Sequence, residues 1–429
     1  MRISIVGNGY VGLATSVGLA GNGHSVVCID NNPEKVALIN QGKSPICENG
    51  LDDLVSSCVL KSKTLRASGD YNDIADTDIT FLCVGTYSLS CGGTDFTQIA
   101  QAAGDIGTAL AKKDGYHVVA VKSTVAPGTT EQVIIPMLEK TSGKKSGKDI
   151  DIAANPEFLE EGKSVHCFLN PYRVIIGEYD KKSGDAVEIV YRDFSVPIIR
   201  TTLATAEMIK YASNAFLSAK ISFANEIGNI CKRIGIDFYD VANAMGYDPR
   251  IGRKFLNAGA GFGGSCLPKD IEELIDSAKK AGYEPRLLES VRDVNRDQPL
   301  SMVAMAEEII GDLKGKTIAV LGLAFKPHTD DIRDAPSLKV IKLLAEKKAR
   351  VLAYDPQAMQ VAKGTITEVI EYCDSAAQAV DGADCVLVVT EWDEFKRESL
   401  YNGKVVIDGR RVLDPARAGK ICDYHGICW

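Results

Sequence analysis

The sequence predicts an α/β protein: two Rossmann-like, doubly wound parallel sheets joined by an all-helical central region that contains one long helix. Three observations carry that expectation. The first thirty residues read as strand, glycine turn, helix and strand. A strand, a glycine, a helix and a strand ending on an acid return from Lys316 onward. Between them lies a span whose apolar residues recur at helical spacing.

The elements follow in order. Apolar Ile3 to Val6 leads into VGNGYVG, then Leu13 to Ala20 reads as helix and Val26 to Ile29 as a strand closing on Asp30. Strand-like runs at Ile79 to Val84, Val118 to Val121 and Ile150 to Ala154, with a helical stretch from Ile99 to Lys112, extend the sheet. Thr141 to Asp149, rich in Lys, Ser and Gly, reads as a solvated loop, and so does Ser88 to Thr94 with Cys91-Gly92-Gly93. From Ala204 the apolar residues Ile209, Ala212, Phe216, Phe223, Ile227 and Ile230 fall at spacings of three, four and seven, which makes one long helix. Helix is expected again from Pro268 to Ala281 and on to about Ile310. Lys316 to Leu321, Arg350 to Tyr354, Cys385 to Thr390 and Lys404 to Asp408 read as strands, with Ser337 to Lys347 a helix and Asp355-Pro356 echoing Asp30 and Pro33. The division expected is residues 1–198, 199–311 and 312–429.

A chain of 429 residues has room for two or three domains with proper cores. Lys and Arg number 49 against 57 Asp and Glu, a net charge of -8, so nothing recruits a nucleic acid or an acidic membrane. No apolar run approaches the ~18 residues of a membrane span, and Met1 opens directly into strand-like Arg2 to Val6 rather than a signal peptide, so a cytoplasmic protein is expected. The twelve cysteines form no CxxC pair and signal neither a zinc framework nor a redox dithiol. No metal is expected, and Cys422 and Cys428 read as packing residues.

Gly7, Gly9 and Gly12 stand where a dinucleotide fingerprint needs a tight turn, close approach to a pyrophosphate and close helix packing. Asp30, eighteen residues beyond Gly12, is placed to bond an adenosine ribose and to repel a 2′-phosphate, so the cofactor expected is NAD. Cys266 lies in GAGFGGSCLPKD, just before a helix start and close to Lys269, a setting that favours its thiolate. A thiolate beside a nicotinamide site can capture an aldehyde, surrender a second hydride and leave a hydrolysable thioester. The alternative is an inert cysteine beside a structural loop. Lys210 and Asn214, four apart on the long helix, suit an oxyanion. In NPEFLEEG, Glu157 and Glu161 follow a strand end, either as ligand-side acids or as an ordinary helix start. Thr124 in STVAPGT is either a cap or a holder of catalytic water.

Together VGNGYVG, KSTVAPGT, NPEFLEEG, Lys210 with Asn214, FGGSCLPKD, LGLAFKPHTDDIRDAPS and DGRRVLD closely resemble the UDP-glucose 6-dehydrogenase family of nucleotide-sugar dehydrogenases, in the family's order over nearly the whole chain. The resemblance implies a four-electron oxidation of UDP-glucose to UDP-glucuronate with two NAD and one water. It makes Cys266 the nucleophile, Lys210 and Asn214 the oxyanion stabilisers, Asp270 and Thr124 the pair that positions water, and Glu157 an acid–base carboxylate. It assigns Tyr10, Val11, Lys35, Thr86, Glu161 and Arg333 to the cofactor along with the glycines, Asp30 and Thr124. To the substrate it assigns Phe158, Leu159, Glu161, Phe255, Gly263, Phe325, Lys326 for the diphosphate and Arg410. Arg250 in DPRIG matches a residue that reaches the partner's sugar site, which implies a homodimer. One departure is Tyr87 after Gly85-Thr86, where the family often has proline. Two rival readings stay open: a dehydrogenase of another sugar nucleotide, such as GDP-mannose or a UDP-N-acetylhexosamine, and a nucleotide-sugar binder without catalysis.

Overall fold

The structure, a computed structural model, describes residues 1–88 and 93–429. Residues 89–92, and with them Cys91 of the loop expected over Ser88 to Thr94, lie outside the described residues. The chain forms two compact units, Met1–Ser213 and Asn214–Trp429.

In the first unit β1 (Arg2–Val6), β2 (Ser25–Ile29), β3 (Leu65–Ser68) and β4 (Ile79–Leu82) are followed by a small antiparallel pair, β5 (Tyr87–Ser88) with β6 (Thr94–Asp95). Then come β7 (His117–Val121), β8 (Ile150–Ala154), β9 (Val174–Glu178) and β10 (Ile198–Thr202). The eight-stranded sheet runs β10-β9-β8-β7-β4-β1-β2-β3. Its central strands are mostly apolar because both faces are covered: Val118 and Ala120 of β7 enter one core cluster, Val119 and Val121 the other.

The sheet departs from the all-parallel expectation at one edge, where β9 runs antiparallel to β8 and β10 follows β9. The connection from β8 holds one helix, Ser164–Leu169, of six residues, and the chain re-enters the sheet from the carboxyl edge. The loop expected from Thr141 begins two residues later, since Thr141 and Ser142 still belong to the helix Ile135–Ser142.

β7 begins on a fully buried histidine. His117 bonds the Thr80 hydroxyl through Nε2 at 2.8 Å and faces the Thr77 carbonyl from Nδ1 at 3.2 Å. Burial, reinforced by the charge of Lys113, pushes its pKa down to about 3 from 6.5. Between those values the unfolded chain binds a proton that the folded chain refuses, so stability falls as pH drops through that window, by up to roughly 1.4 kcal/mol per pH unit. The urea midpoint of the protein is expected to fall on acidification below 6.5, and a His117→Gln variant to show a shallower dependence.

The second unit opens with its share of the long helix Leu203–Ile234 and continues through helices Phe238–Gly246, Leu267–Lys280 and Arg286–Ile310. Its sheet comprises β11 (Thr317–Leu321), β12 (Arg350–Tyr354), β13 (Glu371–Tyr372), β14 (Cys385–Val388), β15 (Val405–Asp408) and β16 (Asp423–Gly426). All are parallel, in the order β13-β12-β11-β14-β15-β16. Each sheet reverses its winding once, between β1 and β4 and between β11 and β14. Ligands of doubly wound sheets bind outside the carboxyl ends at that reversal. Among the described residues no helix is long and apolar enough to cross a membrane.

Candidate functional site

At the reversal in the first sheet, Gly7 has φ +95°. A Cβ there would stand 2.9 Å from the Cys83 carbonyl oxygen, and one on Gly12 would stand 1.8 Å from that of Gly7. Gly9 meets nothing within 4 Å, so one glycine makes the turn, another packs helix on strand, and the third leaves open room. Gly9 also caps the helix Tyr10–Gly21 without any side-chain hydrogen bond, and a helix start of that kind suits an anion. Asp30 accepts from the Asn8 amide at 2.8 Å and the Asn32 amide at 3.0 Å. Lys35 lies in the helix Pro33–Asn40, whose cap Asn32 accepts from its amide. The Thr86 hydroxyl donates to the Thr124 carbonyl at 3.1 Å, tying the ends of β4 and β7. An uncapped helix start, open space over Gly9 and an acid closing β2 fit NAD.

The same edge carries Glu157, 7 % exposed, with its Oε1 2.9 Å from Lys210 Nζ, itself 4 % exposed. Its Oε2 accepts from the Leu159 amide at 2.5 Å. Burial pushes this carboxyl up, but the charge and hydrogen bond of Lys210 outweigh burial and hold it below the usual carboxylate range. Half-buried Phe158 receives the Arg173 guanidinium 3.9 Å from its ring centre and Lys210 Nζ at 5.4 Å. Glu161 is half-buried in the same turn.

Two carboxylates that the sequence reading passed over fasten this region. Glu48 accepts from the Gly162 and Ser164 amides, both at 2.8 Å, and holds the far end of the NPEFLEEG segment. Glu207, one turn before Lys210, accepts from the Gly128 and Thr130 amides at 2.6 and 2.9 Å and holds the turn that follows Thr124. Burial pushes the Glu207 carboxyl up despite those donors.

In the second unit Cys266 is exposed at the N-terminus of the helix Leu267–Lys280, with the Ser265 hydroxyl 3.5 Å from its sulfur. One turn on, Asp270 is 1 % exposed; it accepts from Asn214 Nδ2 at 2.6 Å and from Lys269 Nζ at 2.7 Å. The glycine loop before Cys266 is gripped from two helices. Asn225 accepts from the Gly259 amide at 2.8 Å, and Asn295 brackets Phe262, accepting from its amide at 2.7 Å and donating to its carbonyl at 3.0 Å. Pro299 inside the helix Arg286–Ile310 offers no amide to the Asn295 carbonyl one turn back. The loop uses that place, since a Cβ on Gly261 would come within 3.2 Å of the carbonyl.

The loop also meets the second sheet. A Cβ on Gly263 would stand 2.3 Å from the Asp334 carbonyl, and one on Gly264 2.7 Å from the Phe325 ring. The Gly264 amide donates to the Arg333 carbonyl at 2.8 Å, and the Ala260 amide to that of Gly409 at 2.9 Å, next to Arg410. The structure thus gathers Cys266, Gly263, Phe325, Arg333 and Arg410 around one loop. Lys326 Nζ lies 5.2 Å from the Phe325 ring centre. The Arg333 side chain pairs with Asp331 at 2.5 Å, and Arg410 Nε donates to the Val389 carbonyl at 2.7 Å. Phe255 is half-buried with φ +66°. Arg250 is not gathered in: its side chain is 87 % exposed and pairs with Asp248 at 2.6 Å.

Three family models match the chain: the NAD binding domain of the UDP-glucose/GDP-mannose dehydrogenase family over residues 1–195, its central domain over 204–297, and its UDP binding domain over 319–415. The chain is 44% identical over 422 residues to the UDP-glucose 6-dehydrogenase AglM of Haloferax volcanii, covering 96% of this chain and 97% of that one. A solved UDP-glucose dehydrogenase of Pyrobaculum islandicum superposes with TM-score 0.95 at 39% identity, over 100% of this chain and 98% of that one. A UDP-D-ManNAc dehydrogenase of Pyrococcus horikoshii superposes with TM-score 0.86 at 29% identity, over 100% and 99%.

Proposed function

Since the chain belongs to the UDP-glucose/GDP-mannose dehydrogenase family, we propose that it oxidises UDP-glucose to UDP-glucuronate in two successive two-electron steps that consume two NAD and one water. The observation that carries the reading is an exposed thiol at a helix N-terminus, one turn before a buried carboxylate that orients an amide.

NAD, when bound over the Gly7 to Gly12 turn, supplies the hydride acceptor for each oxidation. Cys266 sulfur forms a bond to the C6 aldehyde carbon of the sugar, and the carbonyl oxygen becomes an alkoxide that Lys210 Nζ and Asn214 Nδ2 stabilise. After loss of the second hydride the carbon is a thioester. Asp270 and Thr124 orient a water that adds to it, Glu157 takes up the proton, and the carbon–sulfur bond breaks to restore the thiolate. Each oxyanion donor is held by a carboxylate in the resting protein, Lys210 by Glu157 and Asn214 by Asp270. Lys326 meets the diphosphate, Arg410 reaches the nucleotide, Phe158, Leu159, Phe255, Gly263 and Phe325 shape the pocket, and Arg333 serves the cofactor. Three functional segments, 1–198, 199–311 and 312–429, divide this work.

A second copy of the chain completes the enzyme. Support comes from Phe216, Phe223, Ile230 and Ile234 on the long helix, 68, 46, 47 and 64 % exposed at spacings of seven, seven and four. Exposed Arg250 then serves the partner's sugar site.

The test is NADH formed per UDP-glucose consumed, with substrate limiting and NAD in excess. Two NADH per sugar is the expected yield. A yield near one removes the thioester route, and turnover of GDP-mannose or UDP-N-acetylmannosamine without turnover of UDP-glucose replaces the substrate.

A further inference from the structure

A second buried ammonium lies in the first unit, and nothing in the reaction just described employs it. Lys122 follows β7, is 4 % exposed and forms no ion pair among the described residues. Its Nζ donates to the Asn155 carbonyl at 3.4 Å, to Asn155 Oδ1 at 3.1 Å and to the Tyr191 hydroxyl at 3.2 Å. Tyr191 donates in turn to Asn155 Oδ1 at 2.7 Å, and Asn155 Nδ2 donates to the Ile175 carbonyl at 2.9 Å. The ring centres of Phe81 and Tyr191 stand 6.0 and 5.7 Å from the ammonium. A buried cation without a counter-ion costs stability that an apolar side chain of the same size does not. Both of its hydrogen-bonding partners lead to Asn155, the first residue of Asn155-Pro156-Glu157.

That placement bears on a conflict in the proposed chemistry, and the inference rests on that proposal. Lys210 is paired with Glu157 in the resting protein, yet it must turn to the substrate oxygen. If it were the sole positive charge near Glu157, its departure would leave a buried carboxylate uncompensated and prone to take a proton. We propose that Lys122 is a positioning residue for Glu157: it anchors Asn155 and stands as a second positive charge behind the carboxylate, so that Glu157 stays ionised while Lys210 attends the oxyanion.

The groups around Glu157 agree. Burial pushes its carboxyl up, and against burial act Lys210 from the long helix, the Leu159 amide, and Lys122 from the end of β7. Cys83, after β4, is pushed up to about 12 by burial and stays a neutral thiol. Burial likewise pushes up the Tyr191 hydroxyl, which stays neutral on the far side of Lys122. Arg173 is engaged on the Phe158 ring.

The experiment follows the Glu157 carboxyl by carbon-13 NMR in the full chain labelled at glutamate, with the signal assigned by its loss in Glu157→Gln. In Lys122→Met the Glu157 titration is expected to move up by about half a unit or more. The acid limb of kcat should move with it, kcat should fall about tenfold, and KM for NAD should hold. In Lys210→Met, where Lys122 alone remains, Glu157 is expected to be ionised still at neutral pH. An unmoved titration in Lys122→Met, with only a lower melting temperature, makes Lys122 a core residue and overturns the proposal. If Lys122→Met does not fold, Lys210→Met decides: a protonated Glu157 at neutral pH there overturns it equally. The titration needs no substrate, and the NADH yield of the unaltered chain judges the underlying reaction separately.

Discussion

In the Cys266→Ala variant, UDP-glucuronate formation from UDP-glucose is expected to fall by on the order of 10⁴-fold or more, while NAD and UDP-glucose bind as before. Removing a nucleophile deletes the bond on which the second oxidation depends, and no neighbour replaces it. The thiol is exposed, so its loss opens no cavity, and the fold should tolerate alanine with a change within about 0.5 kcal/mol. Activity and stability therefore separate. Chromatographic assay of UDP-glucuronate reads the first, and calorimetric titration with each ligand and a melting curve read the second. Undiminished turnover in this variant would falsify the thiohemiacetal route, whatever the substrate.

The second large effect falls on Lys210→Ala. Lys210 and Glu157 are both almost wholly buried, with nitrogen and oxygen 2.9 Å apart. Removing one member of such a pair leaves the buried carboxylate without its direct partner, at a cost of about 3–5 kcal/mol. The oxyanion also loses a donor, worth about 10²–10³ in kcat. The sign of the pH dependence is testable. Glu157 has its carboxyl held below the usual range, so the pair's contribution is present above the ordinary carboxylate pKa and disappears as pH falls through the lowered value. In Lys210→Ala burial acts with less opposition and lifts the carboxyl, and protonation relieves the strain. The stability deficit, measured by urea unfolding, should therefore be larger at pH 8 than at pH 5. Adding Glu157→Gln to Lys210→Ala should recover part of the loss, because the stranded charge is gone.

The parts of the fold readable from sequence are those written in local repetition. Glycines at fixed offsets announce the turn after β1, and apolar residues at three, four and seven announce Leu203–Ile234. The reversed edge at β9 was not readable, because strand direction is set by the side from which the chain returns to the sheet and not by any property of β9 itself. The residues of the candidate site divide the same way. Cys266 stands out because a helix start is a local fact, whereas Asp270 enters only through the family resemblance of FGGSCLPKD. Glu48, Glu207, Asn225 and Asn295 escaped because each bonds backbone amides 33 to 116 residues away, and no short pattern encodes that reach. The available clue was chemical: a buried Glu or Asn in an apolar helix or loop must find donors or acceptors somewhere. Arg250 stands apart for another reason, since its proposed target belongs to a second chain.

The two sheets end their second strands alike, and the likeness has a limit that matters to anyone wishing to re-engineer the chain. Asp30 receives two backbone amides and has acceptor capacity left for a ribose. Asp355, closing β12, receives five donors: the amides of Leu323, Ala324, Gln357 and Ala358, and the Trp392 indole at 3.0 Å. A carboxylate offers about four lone-pair directions, so Asp355 is saturated from within. Rewriting the turn after β11 as a three-glycine loop would not by itself create a second dinucleotide site. Trp392 would first have to yield its hold, and with it the wall that it shares with His328, whose ring centre lies 5.7 Å away.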